Sequence, residues 1–343
     1  MSPSSFIANA ARSFLAAVLT LLGLLIVTFV VGRMLPIDPV LAAVGDRAPA
    51  EVIAKARAEM GLDLPLYRQF WIYTSNTLHG DFGESVLTAR PVLSDIERVF
   101  PATLELATTA TVLGVLLGIP LGVGAAVWRD RWPDHVARVF GLIGYSVPVF
   151  WLGLMGLLLF YARLGWTGGP GRLDIYHEGL IPAVTGSILI DSLLAENGAV
   201  FTDALRHVVL PASILAFFLL AYLSRMTRSF MIGALAREYI TTARIKGVSE
   251  FRVVWVHAFG NILVPLTTVI ALAYGGLLEG SVLTETVFAW PGLGLYITHS
   301  LLSADMNAVL GGTLVVGCVF ILLNFLAELL YPVFDPRLRR VSI

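Results

Sequence analysis

Charged residues are scarce in this chain of 343 residues, of which only 14% are Asp, Glu, Lys or Arg and 57% are hydrophobic. Soluble domains carry about 25% charged residues, so this composition excludes an ordinary soluble protein and predicts an integral membrane protein. The formal net charge is −1, and the chain therefore lacks the basic field that nucleic-acid binding requires. The one cysteine, Cys318, lies in an apolar run, which excludes an intrachain disulfide and favours a packing role.

Lysine and catalytic motifs are also scarce. The two lysines, Lys55 and Lys246, do not follow a glycine-rich loop, so the phosphate-binding pattern G-x-x-x-x-G-K-[ST] is missing. Any ATP-driven work must therefore be done by another polypeptide, and no cofactor is expected in this chain. His177-Glu178 lacks the second histidine of H-E-x-x-H, and Ser146 lacks a G-x-S-x-G context. The sequence predicts no catalytic residue and, without a His, Cys or Met cluster along the apolar runs, no metal site.

Long apolar runs are what the sequence has in abundance. An α-helix needs about 20 residues to cross about 30 Å of hydrocarbon. The runs predict an all-α integral membrane protein with six transmembrane helices, at about residues 11–32, 101–128, 138–163, 207–232, 258–281 and 308–332. Arg33 follows the first run where a signal peptide would have a small-residue cleavage site, so this run is predicted to be an uncleaved span.

The distribution of arginine and lysine predicts the orientation of the spans. Basic residues concentrate at the N-terminus, in the loops after the second and fourth spans, and in the C-terminal tail. They are Arg12, Arg129, Arg131, Arg138, Arg225, Arg228, Arg237, Arg244, Lys246, Arg252, Arg337, Arg339 and Arg340. The loop at about residues 283–307 contains Glu285 and Asp305 but no Lys or Arg. Both termini are therefore predicted to be cytoplasmic.

Two regions on the opposite, periplasmic side are too long to be simple turns. Residues 34–100 contain a helix candidate at 49–60, with proline near its first turn, and an aromatic-rich second one at 64–78. Residues 164–206 begin with turn formers and recover helical character near 188–194. The predicted divisions are a first span (1–33), a periplasmic helical region (34–100), a core of five spans (101–332) and a cytoplasmic tail (333–343).

A polar interruption at residues 237–265 separates two apolar runs and carries basic residues on both sides of Gly247. The sequence predicts a helix at 234–246, and Gly247 suits the positive φ that would end it. The face of this helix would present Leu235, Tyr239 and Thr242. Such a helix can dock in a groove of a soluble partner, which makes the loop at about 233–257 a candidate lever. The alternative is that its cations only fix topology and contact anionic lipid.

Glycine and proline inside the spans have two interpretations. Gly114, Gly118 and Gly122 recur every four residues, a spacing that allows close helix contact. Pro120, among them, allows a bend beside a conducting pathway. The same choice between packing and a pathway or gate applies to Pro148, Gly275, Gly276, Trp290, Pro291 and Gly292.

Seven motifs follow one another along nearly the whole chain. They are L-P-I-D-P (35–39), G-L-D-L-P-L (61–66), H-G-D-F-G-E-S (79–85), R-V-F-P-A-T-L-E-L (98–106), S-V-P-V-F-W-L (146–152), T-E-T-V-F-A-W-P-G-L-G (284–294) and D-P-R-L-R (335–339). In this order they resemble the B-type membrane subunits of dipeptide/oligopeptide ATP-binding-cassette importers. The resemblance implies the type I importer permease fold in a bacterial inner membrane. It leaves an intramembrane enzyme as the alternative from a different class.

The resemblance also implies a role for the loop at about 233–257. It would be the cytosolic E-A-A-type element that couples to an ATPase, with its core at residues 241–247 (T-T-A-R-I-K-G). The family's glutamate is replaced there, and Glu238 lies one helical turn earlier. The implied coupling residues are Arg237, Glu238, Tyr239, Thr242, Ala243, Arg244, Lys246 and Gly247.

Partners and cargo follow from the same resemblance. It implies a heterodimer with a homologous second permease subunit, two cytosolic ATPases that bind ATP and Mg²⁺, a periplasmic solute-binding protein, surrounding lipid, and no nucleic acid. The expected cargo is a peptide. Nickel chelates, glutathione, opines and oligosaccharides are the alternatives, because specificity resides largely in the separate binding protein.

Acidic residues have less specific expectations. Within spans, ionisable groups usually face protein or water, so Glu279 and Glu328 are expected in interhelical hydrogen bonds or at an interface, with a cation relay less favoured. Glu105 is expected at an interface. Five acids of the outside loops are expected either to contact a solute-binding protein or to be solvated: Asp63, Asp81, Glu84, Asp191 and Asp203.

Overall fold

A computed structural model describes residues 3–34, 39–45, 47–59 and 61–334 of the chain, and these residues fold almost entirely into helices. In chain order the α-helices are α1 (Pro3–Met34), α2 (Pro39–Val44), α3 (Ala50–Glu59), α4 (Leu66–Leu78), α5 (Val92–Val127), α6 (Trp132–Ser146), α7 (Val149–Gly156), α8 (Ile188–Leu194), α9 (Gly198–Leu235), α10 (Glu238–Ile245), α11 (Glu250–Arg252), α12 (Phe259–Gly280), α13 (Val282–Val287), α14 (Leu293–Leu302) and α15 (Met306–Phe334). Two π-helical stretches, Leu157–Arg163 and Val253–Ala258, extend α7 and precede α12. Within the described residues, β-structure is limited to one bridge between Glu84 and Pro91, which confirms the all-α prediction.

Five helical segments are long and apolar enough to cross a membrane. They are Ala11–Arg33, Val92–Val127, Gly198–Leu235, Glu250–Gly280 and Met306–Leu326. Each overlaps a predicted span. The segments that begin at Val92, Gly198 and Glu250 start well before the predicted positions 101, 207 and 258. Their extra turns carry polar residues, which an apolar-run criterion excludes although a helix continues through them.

The third predicted span, at 138–163, is wrong as a continuous helix. The structure breaks it into α6 and α7, and the segments Trp132–Gly144 and Val149–Arg163 meet at an angle of 98°. The physical reason is Pro148, because the residue before a proline is driven out of the helical region and proline has no N–H to donate. Val147 accordingly has an extended backbone, with φ −94° and ψ 128°. The chain thus has six spans only if this bent pair counts as one.

Helices α5 and α9 run parallel and form the centre of the bundle. The glycine stripe of α5 makes their close approach possible: a Cβ on Gly118 would lie 3.1 Å from the Cα of Leu220, and one on Gly122 would lie 2.6 Å from the carbonyl oxygen of Ser224. Gly114 packs against Leu219 in the same way. The packing interpretation of this stripe is therefore confirmed.

The two ends of the bundle are distinct, and α9 joins them, with α8 before its first turn and α10 after its last. We call them the α8 end and the α10 end. Helices α1 and α15 pack antiparallel, with Gly32 against Leu310 near the α8 end and Gly317 against Leu24 further along. Helix α1 therefore runs toward the α8 end, and α15 runs away from it.

The predicted helices outside the spans are largely confirmed. Helices α3, α4 and α8 occupy the predicted positions, and Gly61 has the left-handed φ of +65° expected at a helix stop. Helix α4 packs on α1, where the hydroxyl of Tyr73 donates to Thr28 Oγ1 at 2.9 Å. Residues 35–38 of the first motif and the whole of the last motif (335–339) lie outside the described residues.

Candidate functional site

The candidate coupling loop begins with a break between two helices. The sequence predicts one helix over 234–246, but α9 ends at Leu235 and α10 begins at Glu238. Arg237, between them, has an extended backbone with φ −81° and ψ 148°. Leu235 therefore belongs to the preceding span and packs partly buried against its core, so its predicted place on the face of the coupling helix is wrong.

Helix α10 is anchored by one buried side chain, Ile240. It is fully buried in a cluster that joins α5, α9 and the start of the fifth span, including Met231, Val253 and Ala258. Ala243, one turn later, also packs against this cluster. The inward face thus consists of Ile240 and Ala243. The spacing of Ile240 and Ala243, three residues apart, places them on one helix face, and this spacing in the sequence could have identified Ile240 as a buried residue.

The opposite face of α10 is open. Tyr239 and Thr242 are exposed, as predicted for the outward face, and Thr242 donates its hydroxyl to the carbonyl oxygen of Glu238 at 3.1 Å. The sequence interpretation missed two exposed apolar residues, Ile245 on this face with 82% exposure and Phe251 in α11 with 73%. Exposed apolar side chains grouped beside cations are a feature of protein-binding surfaces.

Gly247 ends α10 as the sequence predicts. Its φ is +74°, in the left-handed region that glycine occupies without a Cβ clash. The amide of Gly247 donates to the carbonyl of Arg244 at 3.0 Å, and that of Val248 to the carbonyl of Ala243 at 3.1 Å. This pair of bonds is the Schellman motif, and it sends the chain away from α10 at a fixed angle toward α11.

The charges of this loop are nearly all on the surface. Arg244 makes a bidentate ion pair with Glu250, at 2.7 Å from Nε and 3.2 Å from Nη2. Arg237, Glu238 and Lys246 are exposed. Glu250, rather than Glu238, is therefore the carboxylate that meets a coupling-loop cation, and its position after the glycine could not be inferred from the E-A-A comparison.

A second ionic cluster at the α10 end was missed by the sequence interpretation. Asp134, at the first turn of α6, has a fully buried side chain and accepts from Arg228 Nε at 2.6 Å and from Arg228 Nη2 at 2.8 Å. Arg138 also donates to it, at 2.6 Å from Nη2, and the amide of Asp130 at 3.0 Å. This cluster ties the bent third span to α9, about two turns before α9 ends at Leu235.

The candidate pathway or gate residues divide into two groups. Four are buried inside this chain. Gly118 packs against α9, and Trp290 and Gly292 pack against α5. Gly275 faces Phe320, where a Cβ on the glycine would lie 3.0 Å from Phe320 Cδ2. Four are exposed on its surface: Pro120, Pro148, Gly276 and Pro291. The first group packs within this chain, and the second lies on its surface.

The Trp290-Pro291-Gly292 turn packs around a buried carboxylate. Trp290 Nε1 donates to the carbonyl oxygen of Ala102 at 2.8 Å. Glu285 accepts from Thr103 Oγ1 at 2.8 Å, Ser281 Oγ at 3.0 Å and the amide of Leu295 at 3.0 Å. A Cβ on Gly292 would lie 2.5 Å from Glu285 Oε2, so glycine is required there. Burial raises the pKa of Glu285, and these hydrogen bonds act in the opposite direction.

Acidic residues at the α8 end are more buried than the sequence suggests. Glu105 is buried and ion-paired with Arg172, and it accepts from Ser187 Oγ at 2.8 Å and the amide of Leu189 at 2.8 Å. Asp191 is buried too. Burial acts to raise its pKa, but hydrogen bonds from Thr185, Gly186 and Val184 bring the pKa below its usual value.

The other acidic residues of the loops and spans differ in burial. Asp191 and Asp203 are buried, so both interpretations offered for them, partner contact and solvated surface, are wrong. Asp63, Asp81 and Glu84 are exposed, and Glu279 is exposed on α12. The side chain of Glu328 lies outside the described residues.

One more cluster departs from the expectation that no metal ligands come together. Asp174, Asp203 and His207 place one ligand atom each within 4.8 Å of one another at the α8 end. The sequence did not reveal it because Asp174 lies in an irregular segment and reaches α9 only through the fold.

Comparison with known proteins identifies the family. Residues 118–340 match the model of the binding-protein-dependent transport system inner membrane component, and residues 6–107 match that of the N-terminal part of such components. The probable D,D-dipeptide transport system permease of Escherichia coli K12 is 46% identical over 94% of this chain and 95% of its own length. The di/tripeptide transport system permease of Pseudomonas aeruginosa is 42% identical over 93% and 95%.

The dipeptide transport system permease of Haemophilus influenzae is 41% identical over 96% of this chain and 98% of its own length. Both family models describe membrane components, and the relatives are named as permeases rather than enzymes. The intramembrane-enzyme alternative is therefore set aside. The chain belongs to the family of binding-protein-dependent transport system inner membrane components, and it is a membrane subunit of an ABC importer that works with a solute-binding protein and an ATPase.

Proposed function

We propose that this chain forms one half of the translocation pathway of a peptide importer and couples it to ATP hydrolysis through the outward face of α10. The observation that carries the proposal is the two-sided character of this helix. Ile240 is fully buried in the bundle, whereas Ile245 on the other side of α10 and Phe251 in α11 are among the most exposed apolar residues of the described chain.

The geometry suits a lever. Ile240 packs on both α9 and the π-helical start of the fifth span, so a displacement of α10 acts on two spans at once. The Schellman motif at Gly247 and the Arg244–Glu250 ion pair hold the helix in one orientation. A rigid helix that is docked in a partner's groove transmits the partner's movement as a rigid body.

The proposed assembly has four other subunits. A homologous second permease completes the pathway as a heterodimer, and two cytosolic ATPases dock on the two coupling helices and bind ATP and Mg²⁺. A periplasmic binding protein delivers the solute at the α8 end. Both termini and α10 then lie in the cytoplasm, in agreement with the excess of basic residues there. This chain contributes no catalytic residue and no cofactor to ATP hydrolysis.

Peptide is the favoured cargo because the relatives are named for D,D-dipeptide, di/tripeptide and dipeptide transport. The runner-up cargoes are nickel chelates, followed by glutathione, opines and oligosaccharides. Labelled D-Ala-D-Ala, L-dipeptides and Ni²⁺ should be compared in uptake by cells that carry or lack the chain. Loss of Ni²⁺ uptake alone in the deletion strain would overturn the peptide assignment.

The coupling role is tested by isolation of the tagged chain from its native membrane in mild detergent, with mass spectrometry of what remains bound. We expect a second permease and ATPase subunits. Ile245→Glu should reduce ATPase recovery at least about tenfold, because a charge would be buried at the docked face. Leu302→Glu is the matched control, since Leu302 is equally exposed, at 82%, but lies at the α8 end. Equal ATPase recovery with both variants would contradict the role of α10.

A further inference from the structure

Four side chains with metal-binding chemistry meet at the α8 end. Asp203 and His207 lie one turn apart on α9, and both are buried. Asp174 and His177 come from the irregular segment that precedes α8 and lie over them. Imidazole and carboxylate together suit divalent transition metals, whereas Ca²⁺ and Mg²⁺ prefer oxygen ligands alone.

The hydrogen bond of His207 fixes which ring nitrogen is free to bind a cation. Nδ1 lies 2.9 Å from the carbonyl oxygen of Asp203 and 3.2 Å from Oδ1 of the same residue. Because a carbonyl oxygen only accepts, Nδ1 carries the hydrogen and Nε2 of the neutral ring has a lone pair. A metal-bound histidine in proteins usually donates its other N–H to a carbonyl or carboxylate in this manner.

The lone pair of His207 Nε2 faces another acceptor. Asp174 Oδ1 lies 3.7 Å from His207 Nε2. This distance is too long for a hydrogen bond, and the lone pair of the neutral ring and the carboxylate oxygen repel each other unless a proton on Nε2 or a bound metal ion removes the repulsion. Zinc bonds of about 2.0–2.2 Å in tetrahedral geometry separate two ligand atoms by about 3.3–3.6 Å, so the observed spacing needs little adjustment.

The surrounding residues hold this arrangement in place. Gly168 lies against the imidazole of His207, where a Cβ would be 2.4 Å from Nδ1. Asp203 Oδ2 accepts from the amide of Asp174 at 2.8 Å and lies 2.7 Å from His177 Nδ1. The ring of His207 therefore has one orientation, and the backbone that carries Asp174 is bonded to the same carboxylate.

The cluster is accessible to ions from water. Helix α9 has 38 residues, a length of about 57 Å that exceeds the hydrocarbon thickness of about 30 Å. Its first turns, with Asp203 and His207, can therefore extend beyond the hydrocarbon. The Asp174 side chain is 65% exposed, whereas that of His207 is 2% exposed. An ion can enter past Asp174 and reach the buried imidazole.

We propose that Asp174, Asp203 and His207 bind one divalent transition-metal ion, with Zn²⁺ as the best match, and that His177 or water completes its coordination. The bound ion joins the segment before α8 to α9 and fixes the surface of the α8 end. This site is independent of the coupling helix and of the cargo.

The experiment measures metal retention by the purified full-length chain in detergent. The protein is stripped with a chelating resin, incubated with ZnCl₂ at micromolar concentration, separated from free metal and assayed by elemental mass spectrometry. We expect about one zinc per chain for the wild type and for the control His299→Gln, an exposed histidine on α14. His207→Gln and Asp174→Asn should each reduce retention at least about tenfold, since each removes a ligand.

A thermal unfolding measurement with and without Zn²⁺ adds a second readout. The wild type should unfold at a higher temperature with the ion, because a ligand that binds only the folded state stabilises it, and Asp174→Asn should lose this shift. The Asp174 side chain is largely exposed, so this variant gives an answer even if His207→Gln does not fold. A wild type that retains no zinc, or variants that retain as much as the wild type, would overturn the proposal.

Discussion

The two ends of the bundle are held together by different kinds of contact. At the α8 end, loops are fixed by buried carboxylates that accept several hydrogen bonds each, as Glu105, Asp191, Glu285 and Asp305 do. Asp305, for example, accepts from Ser85 Oγ at 2.5 Å and from the amide of Leu87 at 3.2 Å. At the α10 end, the coupling helix is held by apolar packing of Ile240 and an exposed ion pair.

Asp134 shows that a buried carboxylate at the α10 end connects other helices and not the coupling helix. Its hydrogen-bond partners among the described residues are Asp130, Arg138 and Arg228, so it binds α6 to α9 and makes none of these bonds with α10. Hydrogen bonds depend on direction as well as on distance, whereas apolar burial is non-directional. The loops at the α8 end are therefore fixed by many directional contacts, and α10 is fixed mainly by the burial of one side chain.

The largest effect is expected where the α8 end is broken. Glu285→Ala removes the acceptor for the hydroxyls of Thr103 and Ser281 and for the amide of Leu295. A buried donor without a partner costs about 1–3 kcal/mol, so we expect the free energy of unfolding to fall by about 3–6 kcal/mol. The measurement is the thermal unfolding midpoint of the purified chain. Glu279→Ala is the control, because Glu279 is exposed on α12, and equal midpoints for the two variants would contradict this account.

A smaller and more local effect is expected at the anchor of α10. Ile240→Ala leaves a cavity in a fully buried site, which costs about 2–5 kcal/mol in protein cores. Because α10 has few other buried contacts, the loss should appear as faster hydrogen exchange of amides 238–245, with the α5 and α9 amides unchanged. Ile245→Ala should leave exchange as it is. Unaltered protection of α10 in Ile240→Ala would show that something other than this side chain holds the helix.

The difference between the ends also explains what the sequence could predict. Gly247 and α10 depend on local chemistry, and the sequence predicts both, apart from the helix start at Glu238. Pro148 was equally local, and the break in the third span was available from the rule for residues before proline. The partners of Glu285 and Asp134 could not be inferred from the sequence. Thr103 lies 182 residues from Glu285, and Arg228 lies 94 residues from Asp134. Long-range contacts between polar residues leave no periodic pattern in a single sequence.

An intermediate effect is expected when the angle after α10 is changed. Gly247→Val places a β-branched residue at φ +74°, a conformation that costs about 1–2 kcal/mol for residues with a Cβ. The space around Gly247 is open, so the effect is on the backbone and not on packing. We expect normal membrane insertion but strongly reduced substrate uptake, since α10 would leave its docked orientation.

Two controls separate this effect from a general loss of stability. Gly247→Asn should keep most of the uptake, because asparagine tolerates the left-handed region. Gly260→Val should keep it too, since Gly260 is helical and also has open space around it. Normal uptake by Gly247→Val would mean that the fixed exit angle of α10 does not serve coupling.

The smallest effect on stability is expected for the charges of the coupling loop, where the contacts at the α10 end are most exposed. The Arg244–Glu250 pair is exposed on both sides, so its loss should change the free energy of unfolding by less than about 1 kcal/mol. Any larger effect must then come from docking. Lys246 is exposed and makes no ion pair with the residues that the structure describes, so its charge is presented to a partner without being neutralised.

Lys246→Glu should therefore lower the recovery of ATPase subunits more than Arg244→Glu does, and Lys55→Glu, at the chain's other lysine, should not lower it. The double variant Arg244→Glu with Glu250→Arg restores an ion pair of reversed polarity. If the pair only holds the loop in shape, the double variant should recover the ATPase that Arg244→Glu loses. Unchanged recovery with both Lys246→Glu and Arg244→Glu would leave these cations with a role in membrane topology alone, and α10 would then depend on its apolar face for docking.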